Sequence, residues 1–142
     1  QRTKSTCSYI LSRGHTAVAP NFLNFLIEID YGPDENKPES DVIERIGKKA
    51  IKLWDTSGTP PQGWLVEPDQ IISSWKLFLK SISDTNDDIL VVTSNGIARF
   101  LFEAVDNIEV DIQRKLNTAC FGLVKVSQGI SSLKSWNKNC IG

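Results

Sequence analysis

A chain of 142 residues with 40% hydrophobic and 23% charged content is long enough to bury one core, and a single domain is expected. Its 16 basic and 17 acidic residues leave a formal net charge of -1 and no basic stripe, which speaks against nucleic acid as a partner. No apolar run approaches the ~18 residues of a membrane span, and the polar start Gln1-Arg2-Thr3-Lys4 lacks the form of a signal peptide. A cytoplasmic protein without a membrane partner is the expectation, and oligomeric state has no signature here.

Two further details of composition concern thiol chemistry and chain boundaries. Cys7, Cys120 and Cys140 lie far apart, in an odd number and without metal-ligand spacing, which fits reduced thiols better than a disulfide framework. No methionine occurs, an initiator included, so the gene product is expected to extend beyond Gln1 or to have been processed.

In chain order, Thr6-Cys7-Ser8-Tyr9-Ile10-Leu11 reads as a short buried strand, and Ser12-Arg13-Gly14-His15-Thr16-Ala17 as a turn leading into a helix. The apolar stretch Phe22 to Ile29 is followed by Tyr31 to Pro38, whose Gly, two Pro, Asp and Asn predict a loop. Pro38-Glu39-Ser40-Asp41 is a good helix start, and Val42, Ile43, Ile46, Ala50, Leu53 and Trp54 then recur at helical spacing. Gly58 to Gly63 breaks that helix. A second is expected from Pro68-Asp69, burying Ile71, Ile72, Trp75, Phe78, Leu79 and Ile82, with both helices flanking a sheet.

The continuous apolar run Ile89-Leu90-Val91-Val92-Thr93 reads as a central parallel strand covered on both faces. Ser94-Asn95-Gly96 opens a helix through Ile97, Phe100, Leu101 and Val105. Ala119 to Val126 and Ile130 to Trp136 read as strands around Ser127-Gln128-Gly129, a hairpin. The order predicts an α/β fold, a layered sheet with helices on its faces, without internal repeats.

Ligands of open α/β sheets bind beyond the carboxyl ends of strands, which singles out Arg13 and Thr93-Ser94-Asn95-Gly96 and would put both at one rim. A strand feeding a helix through small polar residues and a glycine presents free backbone N–H groups to an anion. The plainer alternative is that Ser94 or Asn95 only caps the helix. Arg13 can grip a phosphate through its planar fork, or be an exposed turn arginine. Glu28 interrupts Phe25-Leu26-Ile27 and Ile29. A carboxyl in apolar surroundings holds its proton as a general acid must, whereas simple strand alternation would turn Glu28 to water. His15, the single histidine, sits in a turn where a solvated or packed role is the commoner one. Asp34, Glu35 and Glu39 lack the spaced ligands of a calcium loop and read as solvated, so no metal is expected. Trp54, Trp64 and Trp75 read as core or loop anchors.

Taken in order, these segments resemble the histidine phosphatase superfamily, in its phosphoglycerate-mutase-like branch. Ser8-Tyr9-Ile10-Leu11-Ser12-Arg13 followed by Thr16-Ala17 is similar to a strand-end stretch whose arginine binds phosphate. Leu26-Ile27-Glu28-Ile29-Asp30-Tyr31-Gly32 is similar to the segment whose glutamate protonates the leaving group. Ile89 to Arg99 is similar to the second histidine motif: a hydrophobic strand, a threonine or serine, histidine, two glycines and a later arginine. The resemblance implies a three-layer α/β/α fold with a mostly parallel sheet. It further implies Glu28 and Ser94 as catalytic positions, Arg13, Asn95 and Gly96 as substrate-binding ones, and no metal or organic cofactor.

Three departures accompany it. The family's first strand ends in an arginine-histidine-glycine motif that carries the phosphorylated histidine, and nothing before Thr6 matches it, so the nucleophile is expected outside these residues and the N-terminal strand is expected to be missing. Ser94 stands where the family has a histidine; a hydroxyl donates a hydrogen bond but carries no charge. The interval from Arg13 to Thr16 is one residue short. The leading expectation is phosphoryl transfer from a small phosphomonoester. The competing ones are a degenerate member that binds a phosphorylated ligand or a protein partner without turnover, and an interaction module with no anion site.

Overall fold

A computed structural model describes residues 2–14, 18–110 and 113–139. The chain is a mixed α/β structure with the helices α1 (Arg2–Arg13), α2 (Glu39–Ser57), α3 (Pro68–Ser81), α4 (Asn95–Ala98) and α5 (Leu101–Ala104), and the strands β1 (Asn107–Ile108), β2 (Cys120–Ser127) and β3 (Ile130–Asn139). The strands form one sheet in the order β1-β3-β2, with β1 parallel and β2 antiparallel to β3.

The helices expected from apolar periodicity are α2 and α3. Pro38 precedes α2 and Glu39 and Asp41 fill its first turn, where carboxylates face the positive end of the helix. Gly58 ends it in a left-handed conformation, φ 69°, with its N–H on the Trp54 carbonyl, a position natural to glycine. The backbone breaks once inside α2, at Gly47. Pro68 opens α3, which buries Trp75 and Leu79 and packs Ile71, Ile72, Phe78 and Ile82 against the same cluster. The helix expected after Gly96 is present as two short turns, α4 and α5, separated at Arg99–Phe100.

The expected hairpin is β2–β3. Gln128 and Gly129 at its tip both have positive φ, 52° and 75°, the backbone of a tight turn that matches strand twist. Val124 faces Leu133 and Ser127 faces Ile130, and the register shifts on either side of Leu123. Gly122 allows the Trp136 indole to lie on the strand, since a Cβ there would overlap the ring. Asp106 fastens β1 to β3: its carboxylate accepts Ser131 N–H at 2.8 Å and Ser131 Oγ–H at 2.7 Å. The core joins Trp54 from α2, Trp75 and Leu79 from α3, Ile97 to Ala104 around α4 and α5, and Leu133 and Trp136 from β3. Edge-on ring pairs tie it together, Phe102–Trp136 at 5.2 Å and Trp54–Phe100 at 5.9 Å among them.

Two strand expectations are corrected. Thr6 to Leu11 lies inside α1, which buries none of its residues and turns only the stripe Thr3, Cys7, Leu11 inward. Without a neighbouring strand an extended segment leaves its N–H and C=O groups unpaired, while a helix satisfies them internally. Ile89 to Thr93 joins no ladder among the described residues, and Leu90 is 68% exposed rather than covered on both faces. The rim expected to carry Arg13 and Ser94 beyond two strands therefore does not form among the described residues. His15, Thr16, Ala17 and Cys140 lie outside the described residues, and Cys7 and Cys120 are free thiols.

The loop between Tyr31 and Pro38 is more ordered than its composition predicts. A short 3-10 turn, Gly32–Asp34, buries Asp34, which takes Arg45 Nε–H at 2.6 Å, a second Arg45 nitrogen, and Trp64 Nε1–H at 2.7 Å. The hydrogen bonds from Arg45, and after them the one from Trp64, hold the Asp34 carboxyl at about 2, against the opposing effect of burial. A carboxyl depressed on folding stabilises the native state above its unfolded value near 4, and that stabilisation is lost as pH falls toward about 2. Urea denaturation followed by tryptophan fluorescence should therefore show stability falling across pH 4 to 2, and Asp34→Asn should flatten that limb. A slope unchanged in the variant would assign the acid sensitivity elsewhere. In the same assay Leu133→Ala, at a fully buried position of β3, should cost about 2–5 kcal/mol.

Candidate functional site

Glu28 and Gly96 are 68 positions apart in sequence and adjacent in space. A Cβ placed on Gly96 would sit 3.4 Å from Glu28 Oε1 and 3.0 Å from the Ile29 side chain, so the residue must be small for the Glu28–Ile29 segment to approach. Thr93 Oγ1 donates to the Leu26 carbonyl at 3.1 Å and fastens the two segments just before that contact.

Ser94 precedes α4 with extended backbone, φ -85° and ψ 160°, and its carbonyl accepts the N–H groups of Ile97 and Ala98 at 3.2 and 2.9 Å. Its side chain makes no capping bond, and Ser94 Oγ is buried without a hydrogen-bond partner. The capping alternative thus fails for Ser94. Asn95 is committed differently: its Oδ1 accepts the Leu116 N–H at 2.9 Å, which ties the segment before β2 to the start of α4.

Arg99, read only as a later arginine of the motif, anchors this turn. It is 1% exposed, lies 3.9 Å over the Trp54 ring, donates from Nε to the Asn95 carbonyl at 3.3 Å and from Nη1 to the Trp54 carbonyl, and has Asp55 at 3.7 Å. Burial pushes its pKa down to about 10, partly offset by Asp55, so it remains a cation at neutral pH.

Glu28 lines an open cleft beside α1, together with Arg2, Tyr31, Leu90 and Val91. Oε2 receives the Arg2 guanidinium at 3.3 Å, an arginine side chain 91% exposed. Oε1 receives the Tyr31 hydroxyl at 3.2 Å. The Glu28 side chain is 32% exposed, so it is neither sealed in the core nor turned fully to water. Burial first, and the Glu28 charge and hydrogen bond after it, push the Tyr31 phenol up to about 12. Sequence reasoning passes over Tyr31. Its signal is an aromatic hydroxyl three residues after a candidate acid.

Arg13 ends α1 at the surface, over the Tyr9 ring at 5.3 Å. A helix rising ~1.5 Å per residue sets it roughly 16 Å along the axis from Arg2, and no contact joins it to Glu28, Ser94, Asn95 or Gly96. The structure therefore brings together Glu28 and the Ser94–Gly96 turn, adds Tyr31, Arg2 and Arg99, and leaves Arg13 apart. No group of three or more His, Cys, Asp or Glu among the described residues could hold a metal ion. Nor is any described helix long and apolar enough to cross a membrane.

The sequence pattern of the histidine phosphatase superfamily (branch 1) matches residues 1–139. The chain belongs to that superfamily. No curated protein and no solved structure matches it.

A buried hydroxyl without a partner costs free energy, so Ser94→Ala should leave stability unchanged or raise it by up to about 1 kcal/mol in urea denaturation. A loss larger than that would mean that the hydroxyl has a partner within the protein.

Proposed function

We propose that this chain belongs to a phosphoglycerate-mutase-like histidine phosphatase that hydrolyses a small phosphomonoester. The observation that carries the reading is the contact between the Glu28 carboxylate and the turn that holds the unpartnered Ser94 hydroxyl, within a chain of this superfamily. In this reading a histidine outside residues 1–142 attacks phosphorus. As the P–O bond to the leaving group breaks, Glu28 gives that oxygen its proton. Water then displaces the phosphoryl group from the histidine, and the Glu28 carboxylate takes the proton that water loses.

Ser94 donates a hydrogen bond to a phosphate oxygen. The backbone of Asn95 and Gly96 adds N–H groups, so the work is positioning and electrostatic stabilisation without a metal or organic cofactor, and Arg13, at the far end of α1, is left out of it. We further propose a single domain in a cytoplasmic setting, with a phosphorylated small molecule or phosphate ion as the partner and neither nucleic acid nor membrane; among the described residues the sheet is chiefly the antiparallel β2–β3 pair and not the mostly parallel one that the resemblance implies.

One observation favours a second reading, a member that binds a phosphorylated ligand without turnover: a neutral serine stands at the family's second histidine. The experiment that separates the two measures hydrolysis of an aryl phosphate by the full-length gene product. For the phosphatase, activity disappears when the histidine of an N-terminal arginine-histidine-glycine motif is replaced, and Ser94→His raises turnover. Absence of turnover, with orthovanadate still raising the melting temperature, would establish the binding protein. Vanadate at 100 times its Kd adds about 2.7 kcal/mol to stability, so no shift at all would remove the anion site altogether.

A further inference from the structure

Each oxygen of Glu28 has its own partner, and the two partners differ in kind. Oε1 faces the Gly96 turn and accepts the hydroxyl of Tyr31. Three contacts fix that tyrosine: its ring lies edge-on to Trp64 at 4.7 Å, its N–H donates to Glu35 at 3.3 Å, and the next N–H, of Gly32, is held by Asp30 at 2.7 Å. Trp64 is in turn hydrogen-bonded to the buried Asp34. Among the described residues Oε2 meets only the Arg2 guanidinium, whose exposed side chain is readily exchanged for water or substrate.

The geometry points to Tyr31 as the positioning residue of the Glu28 acid, its phenol holding Oε1 so that proton exchange with the leaving group and with water runs through Oε2. This rests on the reading of Glu28 as the general acid. When the Oε2–H proton passes to the leaving-group oxygen and the P–O bond breaks, the negative charge left on the carboxylate is met at Oε1 by a donor already in place. When water later attacks phosphorus, the same oxygen, Oε2, recovers a proton. A phenol pushed up to about 12 stays protonated throughout the neutral range, so Tyr31 serves as a fixed donor and not as a second base. The charged groups around the pair are Arg2 from α1, Glu35 from the loop after Tyr31, and Arg99, whose cation opposes the effect of Glu28 on the phenol.

The leaving group supplies the test, because an alkoxide requires its proton in the transition state and a nitrophenolate hardly does. The full-length protein, Tyr31→Phe and Glu28→Gln are assayed on glycerol phosphate and on p-nitrophenyl phosphate. Tyr31→Phe should lower the alkyl-to-aryl ratio of kcat roughly ten-fold with KM unchanged, and Glu28→Gln should lower it further. A merely structural tyrosine would depress both substrates alike.

A wild-type ratio in Tyr31→Phe, with Glu28→Gln still depressed, overturns the positioning role and leaves the function standing. An inactive wild-type protein, or a wild-type ratio in Glu28→Gln, overturns the acid role and the positioning role with it. Should Tyr31→Phe fail to fold, tyrosinate absorbance against pH decides: Glu28→Gln must bring the Tyr31 ionisation down from about 12, and an unchanged curve removes the contact.

Discussion

A guanidinium with almost no exposed surface holds the centre of this structure. Burying a cation is costly unless its donors are met and its charge is answered, and Arg99 satisfies both conditions with parts of two segments, the end of α2 and the start of α4. Its Nη1 donates to the last turn of α2 through the Trp54 carbonyl, its Nε to the Asn95 carbonyl in the first turn of α4, and its face rests on the Trp54 indole. Asp55 supplies the countercharge and also meets Lys115 at 3.7 Å. Because one planar group makes these contacts together, the end of α2 and the turn Ser94–Gly96 cannot move independently. The approach of Glu28 to Gly96 is built on that fixed turn.

The elements legible in the sequence are those specified by short-range chemistry. The spacing of Val42 to Trp54 and of Ile71 to Ile82 defines a helical face without reference to anything else. Ser127-Gln128-Gly129 defines a turn in the same local sense. Thr6 to Leu11 and Ile89 to Thr93 escape such reading because a short apolar run becomes a strand only when another strand lies beside it, and that information is not local. The same limit governs the site. Glu28 and Gly96 are singled out separately, through motif order, and their contact follows from packing. Asn95 suggests a ligand residue by its position alone, while its side-chain oxygen serves Leu116. Arg99 and Tyr31 are under-read for a related reason: an arginine in a helical segment and a tyrosine in a loop acquire meaning from carbonyls, rings and carboxylates that are remote in sequence or hidden until the loop is folded.

With serine at position 94, where the sequence resemblance places a histidine, positive charge in the proposed site must come from elsewhere. A histidinium at position 94 would bring its own charge to a phosphate dianion; a serine hydroxyl brings one hydrogen bond. Two arginines flank the turn and Glu28. Arg2 is at the surface, where solvent screens it. Arg99 is spent on the Trp54 and Asn95 carbonyls and so offers a field instead of a contact, yet it stays charged at neutral pH and its cation is felt by the Tyr31 hydroxyl. What the structure supplies behind the turn is a buried charge, in a region where low polarity lets that charge act over distance. For the phosphatase proposed above, the rate of turnover depends on how much charge the buried arginine contributes in place of a histidine.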